Sequence, residues 1–257
     1  MGKRKLLAVL RSASLQLELA EHAHLVRLLG IAWSVEAASV VLVMELMDDT
    51  LGAALRGPPR RILDWKSQKL PIARGVASGL NFLHSQRPPI IHRDLKPENI
   101  LLDVACSAAK IGDFDTLRNE PLSSTSMMSC DVGTPCFTAP EVQRVATGEV
   151  SAFDEASKYD ATMDIWSFGC VLACLQLDRT FPYPEVDPHD VYTLVTRVAN
   201  EKLAPSVPAD STLHALVATC CLHEASARPS ADCVGRQLDA LLEAASLPQT
   251  AVAQPQE

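Results

Sequence analysis

Glycine is scarce at the front of this chain, basic residues are outnumbered, and no long apolar run occurs. The 257 residues carry 23 Lys and Arg against 31 Asp and Glu, a net charge of −8. No basic cluster forms, which excludes an electrostatic grip on nucleic acid, because neutralising phosphates needs Lys and Arg gathered on one face. No stretch approaches the roughly 18 apolar residues of a membrane span, so no membrane partner is expected. The opening MGKRKLLAVL is basic, but Arg11 interrupts the apolar stretch and no cleavage site follows, so it does not read as a secretory leader. Leu6 stands where an N-terminal acylation motif needs Ser or Thr. Eight cysteines without such a leader are expected as reduced thiols, in a cytoplasmic or nuclear setting.

What is present is a chain that changes character along its length. Leu6, Leu7, Leu10, Ser14 and Leu17 recur at three- and four-residue intervals, predicting an amphipathic helix over 4–21. VVLVMEL at 40–46 is β-branched and continuous, the pattern of a strand buried on both faces, and Asp48 and Asp49 mark a break after it. Ile72, Val76, Leu80 and Leu83 form one face of a helix over 70–85 that starts beside Pro71 and ends at His84, placed to cap it. Brief strands are expected at 90–91, 100–102 and 109–111. MDIWSFGCVLACLQL at 163–177 is apolar almost all round, which predicts a central helix. Later helices are expected from caps at Asp187, Ser211 and Ser230. Trp33, Trp65 and Trp166 read as packing residues, and Cys220, Cys221 and His223 are too few for a structural zinc site.

Four short motifs carry the chemistry: HRDLKPEN at 92–99, IGDFD at 111–115, GTPCFTAPE at 133–141 and SARPSA at 226–231. In this order they resemble the catalytic domain of eukaryotic serine/threonine protein kinases. The stretches HLVRLLG and SFGCVL resemble the tyrosine-kinase-like group of those enzymes. The resemblance implies an α+β, two-lobed fold: an incomplete N-lobe over 1–46, a mainly helical C-lobe over 47–246, and a disordered tail over 247–257. It implies ATP and Mg2+ as cofactors and a protein substrate bearing Ser or Thr, the latter from Lys96 and Thr134.

Carried over residue by residue, the resemblance makes Asp94 the acceptor of the substrate hydroxyl's hydrogen bond and Lys96 the steadying charge on the phosphoryl group. Asn99 and Asp113 become the magnesium ligands, oxygen donors suited to a hard cation. Met44 would guard the base pocket, Glu45 and Met47 would offer backbone groups to adenine, and Leu101 would form the floor beneath it. His92 would pack with Phe114, Asp164 would hold the catalytic-loop backbone, and Glu141 would pair with Arg228. Ser123, Ser124, Thr125, Ser126 and Ser129 are phosphate-acceptor candidates in the activation segment, although each taken singly reads better as a solvated loop residue.

The chain also departs from the family pattern. No G-x-G-x-x-G loop can be drawn before Gly30, since the only earlier glycine is Gly2. Lysine occurs at 3 and 5 and then not until Lys66, so the strand lysine is one of those two or is missing. The helix glutamate falls on Ala13 in the usual frame, or on Glu18 in a shortened helix. Asp115 replaces the glycine of the DFG element, and 143–160 holds a surface insertion. These losses predict impaired transfer and an exposed apolar patch that a regulatory partner would cover. A pseudokinase scaffold that binds without transferring phosphate is the rival reading.

Overall fold

The computed structural model describes residues 13–14, 16–17, 19, 22–34, 39–56, 63–113, 135–146 and 160–246. Two small sheets precede and adjoin a helical body. Strands β1 (Leu28–Ser34) and β2 (Ser39–Met44) pair antiparallel as a ribbon, with a bulge between Leu28 and Gly30. Strand β3 (Asp49–Thr50) runs directly into α1 (Leu51–Arg56), where the Thr50 hydroxyl caps the helix by accepting from Ala53 N–H (3.1 Å). A wide helical turn at Trp65–Lys69 leads into α2 (Leu70–His84), which carries Pro71 in its first turn as expected. Strands β4 (Ile100–Leu102) and β5 (Ala109–Ile111) join β3 in an antiparallel sheet of order β3-β4-β5. Helices α3 (Pro140–Ala146), α4 (Thr162–Leu177), α5 (Val191–Asn200), α6 (His214–Cys220) and α7 (Ala231–Ser246) complete the described chain.

The core is centred on α4, in which every residue from Met163 to Leu175 is buried, the outcome its all-round apolar sequence predicts. Helix α4 stops at Asp178, whose left-handed backbone (φ 51°) turns the chain; its carboxylate holds the buried Lys69 ammonium at 2.8 Å. Helix α2 packs between α7 and β5, burying Ile72, Ala73, Val76, Ala77, Leu80 and Leu83 completely. Gly75 and Gly79 allow its close approach to β5. A Cβ on Gly75 would stand 2.8 Å from His24 Nδ1, and one on Gly79 would stand 2.9 Å from Ile111 Cδ1.

Several expectations are corrected. Strand β2 is not buried on both faces: Val41 is 53% exposed and Val43 46%, because among the described residues no second layer covers that face of the two-stranded ribbon. Trp33 likewise stands 74% exposed. Ala13, Ser14, Gln16 and Leu17 are helical, but the buried face is Ala13, Gln16 and Leu19, whereas Ser14 and Leu17 face outward. Helix α5 is capped by Asp190, which accepts from Thr193 N–H (3.0 Å); Asp187 instead closes a turn on His189 N–H. Helix α6 begins at His214 rather than at Ser211. Ser230 does cap α7, through Cys233 N–H at 3.2 Å. Ile90 and Ile91 are buried, with Ile91 in a single β-bridge rather than a strand, and Asp49 pairs in β3 rather than marking a break. Phe114, the DFG-glycine replacement Asp115, the five acceptor candidates, most of the 143–160 insertion and the 247–257 tail lie outside the described residues.

Candidate functional site

Site geometry is set from the buried Asp164 carboxylate at the start of α4. Its Oδ2 accepts from His92 N–H (2.8 Å) and hydrogen-bonds His84 Nε2 (2.9 Å), while Oδ1 accepts from Arg93 N–H (2.8 Å). Burial opposes ionisation here, but the His84 hydrogen bond and the electrostatic influence of the His84 and His92 rings outweigh it and hold the carboxyl below its ordinary range. Asp164 thereby pins two successive backbone amides and supports Arg93 in a left-handed conformation (φ 70°) that a non-glycine residue adopts only when its surroundings enforce it. His84 therefore braces Asp164 instead of capping α2. The Asp164 expectation holds, and the role of His84 escaped sequence reasoning because its partner is 80 residues away.

The fully buried His92 ring makes the next link. Its Nε2 hydrogen-bonds the Gly112 carbonyl (2.9 Å), which leaves Nδ1 as the acceptor facing Asp94 N–H at 3.4 Å. Asp94 Oδ2 accepts from Lys96 Nζ (2.7 Å) and from Asn99 Nδ2 (3.0 Å). Asn99 Nδ2 donates its second hydrogen to the Asp94 carbonyl (2.7 Å), so both donors are spent and the amide oxygen is the atom left for a cation. Asn99 O accepts from Gly112 N–H (2.8 Å), so the backbone just before Asp113 is tied to both Asn99 and His92. Asp113 is exposed and left-handed (φ 58°), the second such residue at this site. A Cβ on Gly112 would collide with Leu101 Cδ1, so that leucine lies directly against the glycine preceding Asp113.

A second cluster lies at the end of β2. Glu45 N–H donates to Arg27 O (3.0 Å), which ties the end of β2 to the residue before β1. The Glu45 carboxylate accepts from Arg27 N–H (2.7 Å) and takes Lys110 Nζ at 2.7 and 2.8 Å. Burial raises the Glu45 pKa, but the Lys110 and Arg27 hydrogen bonds lower it further, leaving it below its ordinary value. Lys110 is the direct cross-strand partner of Leu101, so β4 joins the two clusters: Asn99 precedes it and Leu101 is its middle residue. Met44 is 46% exposed with its sulfur 4.0 Å from Gln16 Nε2, and Met47 is half-buried. Lys110 was absent from the sequence reading; its alternation with the buried Ala109 and Ile111 was the available signal.

Arg228 and Glu141 form a bidentate pair at 2.7 and 2.8 Å, as expected, with the guanidinium also 5.2 Å from the Trp166 ring centroid. The protein kinase domain matches this chain as a family over residues 3–237. The chain belongs to the protein kinase family. It is 33% identical over 208 residues to the "Probable serine/threonine-protein kinase drkC" of Dictyostelium discoideum, covering 79% of this chain and 25% of that protein. It is 30% identical over 243 residues to the "EPD1-interacting receptor-like cytoplasmic serine/threonine-protein kinase" of Nicotiana benthamiana, covering 88% and 49%. Against the serine/threonine-protein kinase WNK8 of Arabidopsis thaliana it is 33% identical over 177 residues, covering 67% and 26%. The chain thus spans a quarter to a half of these relatives, and its fold is the α+β fold expected of the kinase domain. Among the described residues no helix is long and apolar enough to cross a membrane.

Proposed function

We propose that this kinase domain transfers the γ-phosphoryl group of ATP to a Ser or Thr hydroxyl of a protein, at reduced efficiency. The observation that carries this reading is the convergence of Asp94, Lys96 and Asn99 in one hydrogen-bonded group, with the backbone before Asp113 anchored to the same Asn99. The Asn99 amide oxygen and the Asp113 carboxylate are oxygen donors of the kind Mg2+ takes, so the residues present fit that ion. When bound, it neutralises charge on the phosphates.

The chain's own groups do the rest. Asp94, once Lys96 turns toward the phosphoryl group, is the carboxylate placed to accept the acceptor hydroxyl's proton. Such positioned acid–base groups contribute about 10²–10⁴-fold. His92 and Asp164 hold the loop from beneath, so little reorganisation is needed at the moment of reaction. Leu101 supplies an apolar surface for the base, flanked by Met44, while the Glu45 carbonyl and the Met47 backbone are its edge partners. These 257 residues contain no G-x-G-x-x-G loop, and lysine before Lys66 only at 3 and 5, so this stretch supplies fewer phosphate contacts than the family pattern does. Each such donor is worth about 10²–10³ in rate.

Those same missing contacts favour a second reading, a pseudokinase that binds a partner without transfer. The domain division at residue 46 and a regulatory partner over the exposed β1–β2 face belong to the proposal in either case. The test is a thermal shift with ATP and Mg2+, alongside phosphate transfer to a generic protein acceptor. We expect weak, Mg2+-dependent stabilisation that Asp113→Asn removes, and transfer that Asp94→Asn removes. Nucleotide binding without any transfer would select the scaffold, and tight binding indifferent to Asp113→Asn would contradict the assigned metal role.

A further inference from the structure

Two histidines sit in the segment that joins the β1–β2 ribbon to the helical body, and the assignments above use neither ring. The segment runs from His22 to Val26, between α2 and β5. Its backbone adds to the outer edge of β5: Val26 N–H donates to Ile111 O (2.8 Å) and Ile111 N–H donates to His24 O (2.9 Å). Toward α2, the His24 ring lies against Gly75 with Nδ1 2.9 Å from Ala109 O. The His22 ring stacks on Phe82, with 4.5 Å between centroids and 17° between planes. Gln16 Nε2 donates to Val26 O (3.3 Å), and β1 starts two residues further on at Leu28, so the ribbon's hold on the body passes through these five residues.

The hydrogen bonds fix where each ring carries its proton. A carbonyl only accepts, so His24 Nδ1 bears the N–H that meets Ala109 O. His22 Nδ1 accepts from His24 N–H (3.3 Å), so it is bare and the proton of that ring is on Nε2. A second proton on His24 goes to Nε2 and leaves the Ala109 bond intact. A second proton on His22 goes to the acceptor itself, which sets N–H against N–H and places a charge in a ring whose centroid is 5.9 Å from that of His24. The Phe82 face attracts a cation. Burial first, and then the His24 ring, work against that charge and hold the His22 pKa below its ordinary 6.5. The other charged groups of the elements packed here are engaged elsewhere: Arg74 of α2 pairs with Asp239, His84 hydrogen-bonds Asp164, Lys110 of β5 lies on Glu45, and Arg27 adds its charge to the same Glu45. We propose that His22 to Val26 form an acid-sensitive joint, in which protonation of His22 loosens the segment from α2 and β5 and frees the ribbon that ends in Met44. Acidification then slackens the base-receiving end of the site, while the Asp94 cluster stays braced on α4. That consequence for nucleotide rests on the kinase reading above; the joint itself does not.

The test is hydrogen exchange of the whole chain without nucleotide, read by NMR at the Val26 and Ile111 amides at about pH 7.5 and about pH 5.5, with α4 amides as the reference. After correction for the intrinsic rate, protection at both amides is expected to fall several-fold relative to α4 at the lower pH. About tenfold is the ceiling for one proton taken up by the open form at the ordinary 6.5. His22→Asn keeps a side-chain acceptor two residues before the His24 N–H, as in an Asx turn, and does not titrate in this range. It is expected to leave protection the same at both pH values. In the unaltered chain the His22 imidazole signals are expected to titrate below 6.5. Equal protection at the two pH values in the unaltered chain, a fall that persists in His22→Asn, or a His22 titration at or above 6.5 would each overturn the joint. Because no nucleotide is present, these results are independent of the ATP and Mg2+ titration that judges the kinase reading.

Discussion

The helical body and the β1–β2 ribbon draw on the same apolar residue types and use them in opposite ways. In α2 and α4 those residues are sealed: Ile72, Val76, Leu80, Phe168, Val171 and Leu172 have no exposure at all. In the ribbon, Leu29, Trp33, Val41, Val43 and Met44 are each 46% exposed or more, and Leu46 just beyond it is 95% exposed. Burying a large apolar side chain is worth about 1.5–3 kcal/mol, so the body holds most of the folding energy and the ribbon little. The assigned chemistry straddles the boundary. Catalytic-loop residues are braced on α4, whereas Met44 and Glu45, proposed beside the base, sit at the end of the ribbon, which reaches the body through Val26 N–H to Ile111 O (2.8 Å) and Lys110 to Glu45.

The comparison breaks most visibly at the buried ion pair. Removing Arg228 leaves Glu141 buried without its bidentate partner, and breaking such pairs costs about 3–5 kcal/mol. Arg228→Ala is therefore expected to lower the urea midpoint sharply or to leave the chain insoluble. A next, smaller effect is expected at Asp164, where Asp164→Asn removes the charge that two amides and His84 address, costing about 1–3 kcal/mol in chemical denaturation. His84→Leu is expected to fall short of that loss, with His84→Gln recovering part of it by restoring a donor.

Acid sharpens the same contrast in two stages. Burial holds His22 and His223 below the ordinary imidazole value of 6.5, so the unfolded chain protonates first and their contribution, present above 6.5, is lost as pH falls toward the folded values. Glu45 and Asp164 lie below their ordinary 4.5 and 3.8, so their contribution is complete above those values and disappears at lower pH. Melting temperature measured from pH 8 to pH 3 is expected to fall gently below 6.5 and steeply below 4.5, with Asp164→Asn flattening the lower stage. A melting temperature that rises on acidification would refute this ordering. On the ribbon side, Lys110→Met is expected to cost under about 1 kcal/mol, since the pair is partly solvated. Trp33→Ser should stay within about 0.5 kcal/mol, and a larger loss would mean the ribbon is packed after all.

The body was legible in the sequence because its signals are local and redundant. The apolar run of α4, the α2 face with Pro71, and the four motifs each specify a position without knowledge of the rest. Asp164 and Arg228 were readable because the family resemblance supplied their distant partners. His84 and Lys110 were not, since nothing near either residue in the chain reveals a carboxylate 80 or 65 residues away. The ribbon was misread for a physical reason: VVLVM has the composition of a doubly covered strand, and whether a second layer exists is a tertiary fact. The caps at Asp187 and Ser211 were misplaced by three and two residues, because α5 and α6 take Asp190 and Leu213 instead.

The central claim is that Asn99 and Asp113 present oxygens to one metal ion beside Asp94. Mn2+ added with ATP to the isotopically labelled chain tests it directly, through paramagnetic broadening of assigned resonances. Selective loss of the Asn99 side-chain amide and Gly112 backbone signals, reversed by Asp113→Asn, is the predicted result. Unchanged signals at both positions, with broadening elsewhere or nowhere, would contradict it.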